Sequence, residues 1–247
     1  MNQPGYRWPA LGRILPDGIA FAIGLGIAWI QGWKTTDLVW SLWLGSLVIG
    51  YLTIQSTIGG GIYIGIRAIF HKDTPEKDRL PAILIGGGVA LFFLVFFSFH
   101  FCGFHAGHAF FLSHFFPIEG LSATDFGRAF MNPLLLWKTV FQHLLWVYGV
   151  FLIPVIIAER KYVFASFVAS VKEVREGMHN HSAPNVLKLV GKGPGKSMQD
   201  PFTRPYINVI RMHLLIFFFA FCHMLKVDSF WVYAVVYLVY FFPWKAF

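Results

Sequence analysis

The sequence predicts an all-α protein that crosses a membrane several times as a bundle of helices. Of its 247 residues, 56% are hydrophobic and 13% are charged, whereas about 25% are charged in an ordinary soluble domain. Long stretches such as residues 81–102 contain no Asp, Glu, Lys or Arg. About 20 apolar residues are enough for a helix to cross the hydrocarbon of a bilayer. The apolar runs are continuous, which favours helices over alternating barrel strands.

Six apolar stretches define the expected spans within one membrane domain, residues 1–247. They are residues 13–32, 38–58, 81–102, 134–157, 206–225 and 229–242. The apolar run that begins in the second span continues to Phe70, and the one in the third continues to Pro117. Because a helix rises 1.5 Å per residue, both helices would then be longer than the membrane is thick. The alternative for the second helix is a bend at the glycines 59–61.

The distribution of basic residues predicts the orientation. With the amino terminus in the cytoplasm, fifteen of the twenty Lys and Arg residues lie inside and four lie outside. Cytoplasmic loops carry such an excess. We therefore expect both termini in the cytoplasm, a multi-pass location in the membrane, and lipids as partners. The net charge of +8 follows from this bias, so we expect no nucleic-acid partner.

The longest polar segment, residues 159–205, follows the fourth span. Its first half, residues 160–178, alternates apolar and charged positions, as in an amphipathic helix that lies at the inner interface. Its second half is rich in glycine and proline. The run Gly-Lys-Gly-Pro-Gly-Lys-Ser within it lacks the spacing of a phosphate-binding loop, so we expect a flexible basic loop.

Two glycine triplets, residues 59–61 and 86–88, flank the turn between the second and third spans. In antiparallel neighbours they lie at similar depth, where missing side chains allow close helix contact. Packing of one triplet on the other is the favoured interpretation. The alternative is that they make room for a flat cofactor or a lipid.

Histidines are the most unusual feature of the apolar stretches. Seven lie within or at the ends of the spans: His100, His105, His108, His114, His143, His213 and His223. Ionisable residues inside a membrane are costly and usually face a bundle interior, a cavity or a ligand. From the predicted depths, five of the seven converge in the outer leaflet from three helices: His100, His105, His108, His143 and His223.

Imidazole clusters suit metal binding. Neutral imidazole binds zinc, copper and iron, and histidine also ligates haem iron. His105 and His108 are three residues apart, so they are the favoured pair for a shared metal. Carboxylates are too few for a di-iron centre. For each histidine, the alternative is a hydrogen bond to a neighbouring carbonyl or serine, and for the group, a proton-related role.

Arg211 lies inside the fifth predicted span. Its side chain is expected either to extend to the cytoplasmic surface or to bind an anionic headgroup or a cofactor carboxylate. Asn208 is three residues earlier on the same face and fits either role.

The carboxy-terminal pattern resembles a known family. Arg211-x-His213 is followed by aromatic residues and by Tyr-Leu-Val-Tyr-Phe-Phe-Pro-Trp at residues 237–244. This pattern is similar to an uncharacterised family of prokaryotic integral membrane proteins that is defined only as a domain of unknown function. The resemblance covers mainly the last two spans. It implies a helical membrane protein of a prokaryotic inner (cytoplasmic) membrane with an intramembrane Arg and His, and it carries no activity.

Two functions follow as expectations. The first is an integral membrane protein that binds copper, iron, zinc or haem through its outer histidines, in electron transfer or oxidation. The alternative is a non-catalytic accessory subunit of a larger respiratory or photosynthetic complex that packs against partner subunits, pigments or lipids. A transporter fits less well because the core is very apolar. A hydrolase fits less well still, because no nucleophile with a partnered base is evident.

Overall fold

The computed structural model describes residues 11–179 and, after them, positions 210, 214, 215, 217–222, 224–227, 231, 235, 236 and 238. All of its regular elements in residues 11–179 are helices. They are α1 (Leu11–Ile30), α2 (Thr35–Ile69), α3 (Glu76–Phe115), α4 (Ala123–Ala129), α5 (Pro133–Thr139), α6 (Leu145–Tyr148), α7 (Leu152–Val163) and α8 (Ala165–His179). A π-helical turn, Val140–Leu144, joins α5 to α6, and a 3₁₀ turn, Gly149–Phe151, joins α6 to α7. The prediction of an all-α chain is confirmed for this part.

Three described helical segments are long and apolar enough to cross a membrane. They are α2 (Thr35–Ile69), α3 (Glu76–Phe115) and the continuous segment Pro133–Arg160, which runs from α5 into α7. They contain the second, third and fourth predicted spans, and the shorter apolar helix Gly18–Ile30 lies within the first. The fifth and sixth predicted spans fall outside the described residues except at the isolated positions, and the polar loop 180–205 falls outside them entirely.

Local signals explain where the first two helices end and begin. Gly32 ends α1 with φ +62°, a conformation that glycine adopts readily. The backbone N–H of Trp33 donates to the carbonyl of Ala28 in the last turns of α1 (2.9 Å). At the start of α2, the carboxylate of Asp37 accepts a hydrogen bond from the backbone N–H of Lys34 (2.9 Å). The turn between α1 and α2 is therefore short and well defined.

Side-chain contacts fix the register of the antiparallel helices α2 and α3. Near the end that holds Thr35 and Phe115, called here the upper end, the indole N–H of Trp40 donates to the carbonyl of Phe116 (2.8 Å). Further down, Ser46 contacts His105 (3.2 Å). Below that, the hydroxyls of Tyr51 and Ser98 lie 3.0 Å apart.

This register changes the depth inferred for the histidines. Since His105 is level with Ser46, it lies about 16 Å along α2 from Thr35, near the middle of the span predicted for α2. Hydropathy of α3 alone places it at the outer interface. In this register the centres of the predicted spans 38–58 and 81–102 lie about 16 Å apart along the helix axes, although two spans of one membrane should lie at the same depth. Both apolar runs are longer than a membrane-spanning segment, so hydropathy alone did not fix the position of either span.

The α4 helix folds back along the upper part of α3. Gly127 packs against the ring of Phe110, and Phe130 packs against Gly107. The carbonyl oxygen of Phe130 would lie 3.0 Å from a Cβ atom placed on Gly103. The chain therefore enters α5 close to Gly103 of α3, next to the upper end of the third predicted span, residues 81–102.

At the lower end, α8 packs on α2, and the two glycine triplets do not pack on each other. A Cβ atom at Gly60 would lie 2.6 Å from the Ser170 hydroxyl of α8. No described atom lies within 4 Å of a Cβ atom at Gly61, or at any glycine of the triplet 86–88. The predicted contact between the triplets is therefore wrong for the described residues, because α8 occupies the glycine face of α2.

Replacing Gly60 with alanine is expected to loosen α8. The new methyl group would also lie 3.3 Å from the backbone of Phe167 and Ser166, so α8 has to move, and overpacking of this kind costs about 1–3 kcal/mol. Faster tryptic cleavage within α8 would report the change. Gly59→Ala is the control, since its methyl group meets only Phe167 Cδ2 at 3.9 Å. Equal cleavage of both variants would contradict the contact.

Candidate functional site

His105 joins α3 to α2 in the middle of the paired region. The residue is fully buried, and both of its ring nitrogens have partners. Nδ1 lies 3.1 Å from the carbonyl oxygen of Phe101, one turn earlier in α3, and Nε2 lies 3.2 Å from the hydroxyl of Ser46 in α2. The imidazole is thus held between one backbone acceptor and one hydroxyl.

These contacts determine where the ring hydrogen lies. A carbonyl oxygen only accepts hydrogen bonds, so Nδ1 carries the hydrogen and donates it to Phe101. In the neutral ring, Nε2 is then the acceptor and the Ser46 hydroxyl donates to it. In the charged ring, Nε2 donates and the same hydroxyl accepts. The pair therefore keeps its hydrogen bond in both protonation states.

Aromatic rings enclose the pair. The Trp43 indole N–H donates to the carbonyl of His105 (3.0 Å), and the ring centroids of the two residues are 6.1 Å apart. The Phe101 ring lies 4.4 Å from the His105 ring. His108, one turn further along α3, is also buried, with its ring centroid 5.9 Å from that of His105. Water is therefore largely excluded from the imidazoles, which strengthens their electrostatic interactions.

The other predicted histidines do not join this pair. His100 is exposed and stacks on Phe96 (5.2 Å), because its side chain points about 140° around α3 from that of His105. His143 is half-buried in the π-helical turn, and its charge acts on Asp125 at the start of α4. The expected convergence of five histidines therefore reduces to His105 and His108 among the described residues.

Two predicted site residues lie outside the described residues. They are His223 and Arg211, and the same holds for His213. The expected roles of Arg211, an anionic headgroup or a cofactor carboxylate, therefore stay predictions.

The described residues do not assemble a metal site. No three of their His, Cys, Asp and Glu side chains lie close enough together to hold a metal ion. Within the predicted ligand pair, both ring nitrogens of His105 are already hydrogen-bonded, so coordination by His105 requires loss of one of these bonds. Binding of copper, iron, zinc or haem remains a prediction.

A second polar contact lies below the histidines on the same two helices. The hydroxyls of Tyr51 and Ser98 are 3.0 Å apart, and the ring of Tyr51 lies 5.3 Å from that of Trp137 in α5. Gln55 follows Tyr51 one helical turn further down. Its buried amide nitrogen finds no hydrogen-bond partner among the described residues. Polar side chains therefore recur on α2 and α3 below the histidine pair.

A carboxylate joins α2 to α6 at the upper end. The Tyr148 hydroxyl donates to Asp37 (3.1 Å), and Trp33 contacts Tyr148 and Phe151 with ring centroids 5.7 and 5.6 Å apart. Tyr148 lies directly before the 3₁₀ turn. Irregular turns within a helix often mark functional sites or hinges. This contact holds the irregular part of the chain against the start of α2.

Asp125 caps α4, and its pKa lies below the ordinary value of 3.8. The main cause is the hydrogen bond from the Ser122 hydroxyl (2.8 Å), followed by that from the Ser122 backbone N–H (3.0 Å). The positive charges of Arg128 and His143 act in the same direction. The cap therefore needs the ionised carboxylate.

This pKa gives an expected pH dependence. Because the folded-state pKa is lowered, the cap stabilises α4 above the unfolded-state pKa, and this contribution is lost as the pH falls through the folded-state pKa. Protection of the α4 amides from hydrogen exchange, taken relative to the intrinsic exchange rate at each pH, is expected to fall only in that acidic range. Asp125→Asn should show the lower protection, and hence faster exchange, already at neutral pH. Unchanged exchange in this variant would contradict the capping role.

Sequence reasoning missed the polar residues that form contacts between α2 and α3, including the partner of His105. Ser46, Tyr51 and Ser98 are ordinary residues in apolar runs, and their importance comes from the register of α2 and α3. The available signal was helical spacing: Ser98 and His105 are two turns apart on one face of α3. The same holds for Trp43 and Gly50 on α2. Residues that recur every seven positions on α2 and on α3 predict that these two faces are in contact, but they do not predict which residue lies opposite which.

No protein-family model matches the chain, and neither the curated proteins nor the solved structures include one with detectable similarity.

Proposed function

We propose that the protein is a multi-pass membrane protein that accepts and passes on protons at a centre formed by Ser46, His105 and His108. The observation that carries the proposal is the contact of the His105 Nε2 atom with the Ser46 hydroxyl (3.2 Å). Ionisable residues within membrane helices commonly serve proton transfer, and histidine is the side chain that titrates near neutral pH.

The geometry supports proton uptake because the hydrogen bond between Ser46 and His105 re-forms with donor and acceptor exchanged. When Nε2 gains a proton, it becomes a donor and Ser46 becomes the acceptor. The Ser46 hydroxyl hydrogen can then turn to the carbonyl four residues earlier in α2, a common acceptor for serine in helices. The Phe101 carbonyl keeps its bond to Nδ1 throughout. His108, with its ring centroid 5.9 Å away, is the next group that can exchange the proton.

The membrane setting of the proposal has two supports. Three described helices are long and apolar enough to cross a membrane, and the bias of Lys and Arg favours cytoplasmic termini. Six spans in a prokaryotic inner membrane, with lipids as the surrounding partner, belong to the proposal. On this orientation the upper end of α2 and α3 faces outward.

The test is a pH titration of ¹⁵N-histidine-labelled protein in lipid nanodiscs. We expect the His105 ring signals to change from the neutral to the charged form as the pH is lowered over the range in which the protein stays folded. Ser46→Ala should shift the midpoint. Ser41→Ala is the matched control, because Ser41 is also buried in α2 but donates to the carbonyl of Leu38. A His105 ring that stays neutral over this range in folded protein would contradict proton uptake.

Metal analysis of the same preparation separates this proposal from the cofactor prediction. A proton-accepting His105 keeps both hydrogen bonds and needs no metal. We therefore expect elemental mass spectrometry to find the same amount of copper, iron and zinc before and after replacement of His105. Near-stoichiometric metal that disappears in His105→Ala and His108→Ala would overturn the proton assignment in favour of metal binding.

A second candidate is an accessory subunit of a larger membrane complex. The lower part of α3 favours it, because large apolar side chains such as those of Leu84, Ile85 and Leu91 are each at least 60% exposed. Native mass spectrometry of gently solubilised membranes tests this role. A partner chain at fixed stoichiometry would support it, and the chain alone with lipid would exclude it.

A further inference from the structure

The seam between α2 and α3 holds two polar contacts separated by an apolar ring. The upper contact is Ser46–His105 (3.2 Å), and the lower contact is Tyr51–Ser98 (3.0 Å). His105 and Ser98 are about 10 Å apart along α3, which is too far for direct proton transfer. A proton crossing from one contact to the other therefore needs water or a polar group between them.

The ring of Phe101 fills this interval. Phe101 is fully buried, and its ring packs directly on Gly50 of α2. A Cβ atom at Gly50 would lie 2.9 Å from Phe101 Cε2 and closer still to Cζ. Only a glycine leaves room for the ring at this point. The interval between the two polar contacts is therefore closed to water by an aromatic side chain.

Phe101 is also bonded directly to the proton-accepting group. Its carbonyl oxygen accepts the hydrogen of His105 Nδ1 (3.1 Å), and its ring lies 4.4 Å from the imidazole. A change in the protonation of the His105 imidazole therefore acts directly on Phe101, the residue that closes the interval between the two polar contacts. Polar groups continue below the ring, at Tyr51, Ser98 and Gln55.

We propose that Phe101, packed on Gly50, is a hydrophobic gate between two halves of a proton pathway along α2 and α3. The inference rests on the proposed function, because it takes His105 as the proton-accepting group of the upper half. Apolar constrictions that exclude water block the passage of ions and protons in this way. In this structure the gate is closed. Movement of the ring away from Gly50 admits water between His105 and Tyr51 and joins the two halves.

Proton flux into liposomes that contain the purified protein tests the gate. Pyranine inside the liposomes reports acidification after an external acid pulse, with valinomycin and potassium present to remove the membrane potential. Phe101→Ala is expected to acidify the interior about tenfold faster than the wild type, as a modest fall in the barrier produces. Phe97→Ala is the matched control, because Phe97 is also buried in α3 but does not lie between the two contacts.

Two further variants keep the result decisive. Phe101→Ala combined with His105→Gln should return the rate to the wild-type level, since passage then lacks its upper group. Phe101→Leu keeps a smaller apolar side chain between the two contacts. Its rate of acidification is expected to lie between those of the wild type and Phe101→Ala, and it gives a result even if the alanine variant folds poorly. Rates for Phe101→Ala and Phe101→Leu no higher than for Phe97→Ala would overturn the gate. Equal leakage with and without His105 would overturn it as well.

The titration of His105 distinguishes failure of the gate from failure of the proposed function. If His105 titrates but the Phe101 variants do not leak, the proton-accepting centre stands and the gate does not. If His105 stays neutral in folded protein, both are wrong.

Discussion

Gly50→Ala is expected to destabilise the protein by about 1–3 kcal/mol, the usual cost of inserting a methyl group into a packed core. Alanine normally stabilises a helix relative to glycine by about 0.5–1 kcal/mol, so the sign of the effect is informative. The methyl group would overlap the Phe101 ring, which is fully buried and has little freedom to move. Chemical unfolding in mixed detergent micelles measures the loss.

Gly61→Ala on the same helix is the control for Gly50→Ala. No described atom lies within 4 Å of a Cβ atom at Gly61, and α2 is helical at both positions. This variant should be as stable as the wild type or more stable, because only the helix preference of alanine remains. If both variants were stabilised, the close packing of Phe101 on α2 would be wrong.

His105→Ala is expected to have the second large effect, a loss of about 2–4 kcal/mol in the free energy of unfolding. The substitution removes a ring that packs 4.4 Å from Phe101, and it removes the partner of the Ser46 hydroxyl. Cavity formation and a buried hydroxyl without its bond both contribute. Unfolding in mixed micelles measures this loss as well.

His100→Ala is the matched control, one and a half turns away on the same helix. Its ring is exposed and stacks on Phe96, so its removal leaves no buried cavity. A change within about 0.5 kcal/mol is expected, as for most surface substitutions. Equal destabilisation by the two variants would show that His105 is not the buried link between α2 and α3.

The sequence was sufficient to predict a helical chain with long apolar helices and to place His105 and His108 on neighbouring turns of one helix. Continuous apolar runs predict long helices, and an i,i+3 spacing places two side chains on neighbouring turns. Both features depend on local order along one helix. In the structure both residues are buried and their ring centroids are 5.9 Å apart, and binding of a shared ligand stays a prediction.

Depth could not be predicted in the same way. The apolar runs of α2 and α3 are both longer than a membrane-spanning window, so each window can slide along its helix without a change in hydropathy. The register is set by a few side-chain contacts between helices, such as Trp40 with Phe116 and Ser46 with His105. Such contacts leave no signal in the composition of either helix.

The position of α4 was also beyond prediction, although glycines mark it. Phe130 packs against Gly103 and Gly107 of α3, and Phe110 packs against Gly127 of α4. Such glycines can either bend a helix or leave space for a neighbouring segment, and in α3 they leave space for Phe130. The same glycine spacing fits both outcomes, so the distinction requires the position of the second segment.

The ¹⁵N chemical shifts of the His105 ring in wild-type protein at neutral pH test the central claim most directly. We expect a protonated Nδ1 bonded to the Phe101 carbonyl and an unprotonated Nε2 that accepts from Ser46. Ser46→Ala should then change the Nε2 signal and leave the Nδ1 signal nearly unchanged. A ring protonated at Nε2 and bare at Nδ1, or an Nε2 signal that ignores Ser46, would contradict the proposed proton-accepting centre.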